Sequence, residues 1–235
     1  MDRASPRAGA ARRRQRAFTR TDLLVTLASL TLVASIGLAG FTHLRRSARI
    51  TQCVASVAAV DRAILDFAKD SEDTLPQAPA NDPRDIWWWY KEQVRKYAGL
   101  TGPSSPDDQV FACPDDRGYS DPTPFHRNPR FDFTSYVFNG VTLPAMPNIA
   151  GWKTTEILEP KRTLLVMEWT AHGPLSWHRS RTGRRNLPFY NDALSVLGFV
   201  DGHVQFAPVH YDGHVAAYTR DPVPGYAYRY SGGNP

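Results

Sequence analysis

The chain has 235 residues, a formal net charge of +5 and two cysteines. This length accommodates one domain with a substantial core, or a helical stalk plus one domain, but not two large units. The positive charge is concentrated before residue 21, where Asp2 is the one acid among a series of arginines. From Asp22 onward the chain is close to neutral and lacks a basic stripe with interleaved aromatic residues, which argues against a nucleic-acid-binding protein.

Residues 23–44 form an apolar run without Asp, Glu, Lys or Arg. About 20 such residues cross the roughly 30 Å hydrocarbon layer of a membrane as a helix. The alternatives are a buried core helix or a cleaved secretory signal, and the latter needs a shorter apolar stretch with a small-residue cleavage motif. The run instead leads into Arg45, Arg46 and Arg49, so we predict a single-pass membrane helix. The arginines before it predict a cytoplasmic N-terminus.

Apolar residues recur at helical spacing beyond this span. Steps of four, three, four and three residues separate the members of the stripe, which are Cys53, Val57, Val60, Ile64 and Phe67. Such a stripe indicates one apolar face on a continuing helix. Because Pro76 excludes continuation of the helix, the pattern predicts that it ends near residue 75.

The start of the apolar run carries a family resemblance. Residues 16–25, RAFTRTDLLV, resemble the junction of type IV prepilins and type II secretion pseudopilins, where a basic leader ends in Gly before Phe-Thr-Leu-Ile-Glu. The resemblance implies that a prepilin peptidase cuts between Ala17, which replaces the Gly, and Phe18, and methylates the new N-terminus. It also implies that Asp22, in place of the Glu, neutralises the N-terminal amine of a neighbouring subunit. The alternative is an Asp22 that merely flanks the helix at headgroup level.

The head, residues 76–235, reads as a mixture of helix and sheet. A second helix is predicted from a cap near Asp85 to Gly99, and its Trp87-Trp88-Trp89 run cannot share one helix face. We expect two of these tryptophans in the core and one partly exposed; the alternative is contact with a neighbour, a membrane surface or sugar. Residues 101–132 are predicted to be mostly irregular with short strands.

Two later segments read as β-strands, residues 163–168 and 193–206, and the second is a hairpin that turns at Asp201-Gly202. The predicted fold class is therefore α+β, with a long N-terminal transmembrane helix followed by a small antiparallel sheet, as in pilins. The predicted organisation is a basic leader over residues 1–17, an N-terminal helix over 18–75 with its membrane span at about 23–44, and an extracytoplasmic head over 76–235.

The motifs of the head carry a second resemblance. A Cys113-Pro-x-Asp loop, a Ser-Tyr-x-x-Asn-Gly strand from Ser135 and a Phe-x-Asp-Gly-His-Val hairpin from Phe199 resemble pilin-like proteins with a processing-associated Asp-Gly domain. The family motif maps onto Asp201, Gly202 and His203. That family often has a histidine ten residues before the Asp, where this chain has Asn191, and the nearest upstream histidine is His178.

The two cysteines lack the spacing of a zinc motif. In an oxidising compartment, a Cys53–Cys113 disulfide would tie the head to the helix. It would close a loop of about 60 residues, for which chain entropy gives about 4 kcal/mol. The alternative is a pair of free buried thiols.

Other candidate chemistry is sparse, and we predict no catalytic site and no required cofactor. His203, His210, Asp212 and His214 are candidates for a divalent metal, although strand alternation works against a single cluster. Calcium held by a loop with Asp115, Asp116 and Asp121 is a second possibility. Phosphate-loop, nucleophile-elbow and HExxH motifs are absent from the sequence. Glu168 near His172 and His178 is a conceivable acid/base group, or else the end of a structural strand.

The leading hypothesis is a structural subunit of a pilus-like or pseudopilus-like filament. It lies in the inner membrane with its head in the periplasm or outside, and its partners are prepilin peptidase, membrane lipid and other pilin-like subunits. The alternative is a monomeric membrane-tethered module that binds a surface polymer or metal through its aromatic and Asp/His-rich head. A tethered hydrolase is a third hypothesis.

Overall fold

The computed structural model describes residues 19–78, 87–118, 123–141, 143, 146–172, 177–178, 193–210 and 221–233. It divides into two compact units, one up to Arg46 and the other from Ser47 onward. The fold is α+β, as predicted: a long apolar N-terminal helix precedes a four-stranded antiparallel sheet.

The first helix, α1, spans Arg20–Asp70. Its start is set by a capping box, because the Thr19 hydroxyl accepts from the Asp22 amide at 3.1 Å and the Asp22 carboxylate accepts from the Thr19 amide at 3.0 Å. The large apolar side chains from Leu23 to Leu44 are exposed. Among the described residues, α1 is the helix long and apolar enough to cross a membrane. The coarse prediction of one spanning helix near the N-terminus agrees with this.

The part of α1 from Ser47 to Asp70 belongs to the same compact unit as the head. Four members of the predicted stripe, Cys53, Val57, Val60 and Ile64, are completely buried, and the fifth, Phe67, is partly buried. The helix ends at Asp70, earlier than predicted. Glu72 and Asp73 adopt φ values of 54° and 64°, which end the helix before Pro76 is reached.

The second helix, α2, is much shorter than predicted and covers only Tyr90–Val94. Trp88 and Trp89 are 4% exposed and contact different rings, Trp88 packing on Phe131 and Trp89 on Phe138. Because the consecutive side chains of Trp88 and Trp89 pack in different places, residues 87–89 form turns and not a regular helix. The expected arrangement of two buried tryptophans and one partly exposed, Trp87, is confirmed.

Two further details of that prediction have different outcomes. Gly99 has φ +76° and ends the segment, as expected for the left-handed residue after a helix. Asp85, the predicted cap, lies outside the described residues.

The sheet contains β1 (Tyr136–Phe138), β2 (Leu164–Glu168), β3 (Ala193–Phe199) and β4 (Val204–Val209) in that spatial order. Both predicted β segments are confirmed, as is the strand of the Ser-Tyr-x-x-Asn-Gly motif. The last segment forms the hairpin that turns at Asp201-Gly202, with φ +87° at the glycine. The short strands expected within residues 101–132 are wrong for the described part of that stretch. Three 3₁₀ helices stand there instead, Gln109–Phe111, Phe125–Arg127 and Pro129–Phe131.

The C-terminal residues 221–233 are fastened to the sheet through the Asn139 side chain. Its amide nitrogen donates to the carbonyl oxygens of Leu164 at 2.8 Å and Tyr230 at 2.7 Å. Thr163 and Arg229 add a parallel bridge. The asparagine of the Ser-Tyr-x-x-Asn-Gly motif is therefore a structural clamp.

The helix α1 comes close to the sheet at Gly198 on β3. A Cβ atom at this position would lie 2.7 Å from the Asp61 carboxylate and 3.0 Å from the Val166 carbonyl oxygen. Asp61 is 1% exposed, and neither carboxyl oxygen has a hydrogen-bond partner among the described residues. Burial and the nearby Asp201 raise the pKa of Asp61 well above its ordinary value. The helix thus presents a buried carboxyl to the sheet, where burial favours its protonated form.

Asp61→Asn is expected to reduce the pH dependence of stability. The folded pKa is raised, so from about pH 4 upward the unfolded chain releases its proton before the folded chain does, and the free energy of unfolding falls as pH rises. An amide cannot ionise, so the variant escapes this loss, on the order of 1–3 kcal/mol by neutral pH. Denaturant unfolding of the detergent-solubilised chain from about pH 4 to about pH 8 measures it. Asp66→Asn on the same helix should follow the wild type, and parallel curves for Asp61→Asn and wild type would contradict the assignment.

Candidate functional site

The most elaborate polar cluster in the described part of the head surrounds a disulfide. Cys53 on α1 and Cys113, just after the Gln109–Phe111 turn, are bonded and fully buried, with their Cα atoms 5.0 Å apart. The two cysteines therefore form the disulfide and are not free buried thiols. The Cys113 amide donates to the Ser135 hydroxyl at 3.0 Å, which fixes the loop beside β1.

His178 lies against this disulfide between two carboxylates. Its Nε2 is 2.8 Å from Glu168 Oε1 and its Nδ1 is 3.1 Å from Asp115 Oδ2. Glu168 ends β2, and its other oxygen, Oε2, accepts from the Val196 amide at 2.9 Å and the Ser195 hydroxyl at 3.1 Å. The neighbouring strand, Ala193–Phe199, therefore holds Glu168 in one orientation.

Arg49 extends this chain of contacts to α1. Its guanidinium is 3.1 Å from Asp115 Oδ1, so Asp115 bridges the arginine and His178. With the disulfide four residues further along the helix, this is a second cross-link between α1 and the loop after Cys113. We call the set Cys53, Cys113, Glu168 and His178, with Asp115 and Arg49 behind it, the disulfide centre.

The electrostatics of the disulfide centre favour a charged imidazole. Burial opposes protonation of His178, but Glu168 and Asp115 outweigh it and raise its pKa to about 9. Burial likewise acts against ionisation of Asp115, but the hydrogen bond from His178 and the Arg49 charge keep the pKa of Asp115 below its ordinary value. One cation between two carboxylates is thus the stable state near neutral pH.

Glu168 and His178 were conceivable acid/base residues, but both side chains are completely buried. His172 takes no part in this arrangement: its ring packs 4.9 Å from Trp87 and 5.3 Å from Tyr230. Burial lowers the pKa of His172 to about 3, so it stays neutral. This geometry favours the structural interpretation of the Glu168 strand end.

A neighbouring trio has the residue types of a Ser-His-Asp triad without its geometry. Asp116 Oδ2 and Ser135 Oγ both face the same ring nitrogen of His126, Nδ1, at 3.1 and 3.5 Å. A nucleophilic triad needs the serine and the aspartate on opposite ring nitrogens. The Ser135 hydroxyl also donates to Asp116 at 2.7 Å and is fully buried. The trio braces the loop rather than activating a nucleophile.

The predicted calcium loop is not assembled by the described residues. Asp115 is engaged by Arg49 and His178, whereas Asp116 accepts from the Gly118 amide and the Ser135 hydroxyl. The two carboxylates thus turn to different partners. Asp121, the third candidate, lies outside the described residues.

The Asp-Gly motif forms the β3–β4 turn. The His203 ring stacks on Phe199 with centroids 4.2 Å apart and hydrogen-bonds Asp201 through Nδ1. A Cβ atom added to Gly202 would lie 3.7 Å from Leu65, so the turn lies beside α1. The motif residues therefore cap the hairpin against the helix, and Asn191 lies outside the described residues.

The structure does not bring together the two members of the candidate metal cluster that it describes. His203 precedes β4 and His210 follows it. A strand of this length separates its ends by roughly 20 Å, far beyond the reach of one ion. Asp212 and His214 lie outside the described residues, as do Ala17 and Phe18 at the predicted cleavage point.

The sequence does not reveal that Arg49 and Ser195 contact the residues of the disulfide centre, and His178 is not among the metal ligands that it predicts. In the sequence, Arg49 stands out only as a charge after the apolar run. One available signal was the acid Asp115 two residues after Cys113, opposite an arginine four residues before Cys53. Comparisons with protein-family models, curated proteins and solved structures found no match.

His178→Gln is expected to change the pH profile of stability. Since the folded pKa is raised from 6.5 to about 9, the stabilisation from the charged imidazole is full below about pH 6.5 and is lost as pH rises through about 9. The variant lacks it, so the difference in unfolding free energy from wild type, on the order of 1–3 kcal/mol, should shrink over that window. Urea unfolding at a series of pH values measures it. His203→Gln, on the exposed turn, serves as the control; a pH-independent difference for His178→Gln would refute the charged pair.

Proposed function

We propose that this chain is a structural subunit of a pilus-like or pseudopilus-like filament, processed by a prepilin peptidase and held in the inner membrane by α1. The observation that carries the proposal is the division of α1. Residues 23–44 expose apolar side chains without a covering layer from the described residues, whereas the stripe from Cys53 to Ile64 is buried in the head. One helix thus supplies both an apolar surface for lipid or neighbouring helices and the core of the head.

The position of the charges supports an orientation. Arginines precede the span, which favours a cytoplasmic N-terminus and places the head in the periplasm or outside. The Cys53–Cys113 disulfide suits an oxidising compartment of this kind. Both features agree with a head that lies on the far side of the inner membrane from the N-terminus.

The capping box gives the Asp22 carboxylate a local role beside the proposed one in assembly. Thr19 donates to Oδ2 through its amide at 3.0 Å and its hydroxyl at 2.7 Å. Oδ1 can therefore accept from the amine of a neighbouring subunit while the cap stays intact. An acid at the membrane boundary is costly without such a partner.

The alternative, a tethered binding module, is less well supported. It was based on the tryptophan run and the Asp/His-rich C-terminal region. Trp88 and Trp89 belong to the core, and His203 and His210 stand at opposite ends of β4. These placements favour the filament subunit.

Processing is tested by the N-terminal mass of the membrane-extracted protein. We expect a chain that begins at a methylated Phe18. A variant with Phe18→Ala, whose junction loses the residue after the cut, serves as the control for peptidase recognition. An intact Met1 on the mature membrane protein would sink the proposed processing.

Assembly is tested by three substitutions of Asp22. Asp22→Asn keeps a side-chain oxygen that can cap the helix but removes the charge, whereas Asp22→Glu keeps the charge. We expect membrane insertion in all three variants, filament incorporation reduced at least about 10-fold for Asp22→Asn and Asp22→Ala, and incorporation retained for Asp22→Glu. A tenfold reduction corresponds to a lost charge pair worth about 1.4 kcal/mol. Sheared filament fractions measure incorporation. If Asp22→Asn is incorporated into filaments as well as the wild type, the charge of Asp22 has no role in assembly and the side chain serves only to cap the helix.

A further inference from the structure

The disulfide centre brings together the donor atoms of a metal site. One atom from each of Cys53, Cys113, Glu168 and His178 lies within 4.8 Å of the others, and all four residues are buried. Two sulfurs, one imidazole nitrogen and one carboxylate oxygen form a donor set that zinc binds tetrahedrally. The set is separate from the histidines and aspartates near the Asp-Gly turn.

The outer contacts orient these donors toward one point. Nδ1 of His178 is engaged by Asp115, which Arg49 holds from behind, so Nε2 faces the sulfurs at 3.9 Å from Cys113 Sγ. An imidazole whose second nitrogen bonds a carboxylate is the usual outer arrangement of a zinc-binding histidine. Glu168 is arranged similarly, since Oε2 is occupied by β3 and Oε1 points to His178.

The sulfurs are bonded to each other, and a metal needs them as thiolates. We propose that reduction of the Cys53–Cys113 disulfide converts the disulfide centre into a Zn²⁺ site with Cys53, Cys113, His178 and Glu168 as ligands. The geometry around it, with Asp115 and Ser195 holding the outer atoms, is already in place.

The conversion is a thiol–disulfide exchange followed by metal binding. A dithiol reductant supplies two electrons and two protons, the Cys53–Cys113 bond breaks, and the reductant's sulfurs become a disulfide. As Zn²⁺ binds, the protons of the two thiols and the Nε2 proton of His178 pass to solvent. The sulfurs then separate from bonding distance to about 3.7 Å, the edge of a tetrahedron with Zn–S bonds of about 2.3 Å.

The consequence is a cross-link in both redox states. In the oxidised chain the disulfide ties α1 to the loop after Cys113, and in the reduced chain the metal ties the same two residues and adds β2 through Glu168. Without the metal, the reduced chain would lose the cross-link between Cys53 and Cys113, which are 60 residues apart in the sequence. The site therefore preserves the attachment of the head to α1 when the disulfide is open.

The test uses the full-length chain in detergent and Co²⁺ alone as the probe. The chain is reduced with a phosphine, the reductant is removed without air, and Co²⁺ is titrated. We expect one ion per chain, a thiolate-to-cobalt charge-transfer band, the intense visible bands of tetrahedral cobalt, and their loss when Zn²⁺ is added. The oxidised chain should give none of these bands. Near-ultraviolet circular dichroism of the buried tryptophans reports whether the reduced head is folded.

Matched variants locate the ligands. His178→Gln should abolish the tetrahedral spectrum, and Asp115→Asn, which changes only the outer contact, should weaken Co²⁺ binding about 10–100-fold. His203→Gln should bind like the wild type. The proposal is overturned if the reduced wild type shows no thiolate band, if His178→Gln binds as tightly as wild type, or if His203→Gln weakens binding equally. A reduced chain that stays unfolded in the presence of Co²⁺ overturns it too.

Discussion

The burial of one face of α1 against the sheet is the constraint on which the rest of the head depends. Strands β1, β2 and β3 are buried on both faces, and the stripe from Cys53 to Ile64 belongs to the same buried core. The approach is close enough that Gly198 has no room for a side chain beside Asp61. The helix is therefore part of the core of the head, and the same helix continues as the apolar segment of residues 23–44. One helix therefore contributes both a core element of the head and a segment long and apolar enough to cross a membrane.

Buried polar groups fix the orientation that apolar packing leaves open. Arg49, Asp115, His178 and Glu168 run from α1 to the sheet as alternating charges, and each inner member has at least two partners. Lys91 follows the same rule: its fully buried ammonium is 3.0 Å from Asp108 and donates to the Asp132 carbonyl oxygen at 2.7 Å. The backbone of Asp132 adopts the left-handed conformation, with φ 48°. Buried charges with several partners favour one arrangement over its alternatives, since any shift leaves a charge unpaired.

The disulfide centre connects this structural logic to chemistry. A disulfide alone needs only two sulfurs within reach, whereas here an oriented imidazole and carboxylate face the sulfurs as well. Their outer atoms are held by groups from the helix, a loop and a strand, so the donors are arranged before any ligand arrives. The same contacts that stabilise the charged His178 thus also make the cluster suitable for a metal. Stability and ligand geometry are two results of one network.

The sequence by itself determined the elements whose signals are local. The apolar run, the stripe from Cys53, the last two β segments and the Asp201-Gly202 turn follow from periodicity and turn chemistry, which depend on neighbours along the chain. It overestimated α2, because the pockets that receive Trp88 and Trp89 belong to distant residues. Only the tertiary structure decided the disulfide centre. Cys53, Cys113, Glu168 and His178 are spread over more than half of the chain, and the packing of α1, two non-strand segments and β2 brings them within 4.8 Å. The same physics separated His203 from His210, since a strand of extended backbone stands between two residues that the sequence places close together.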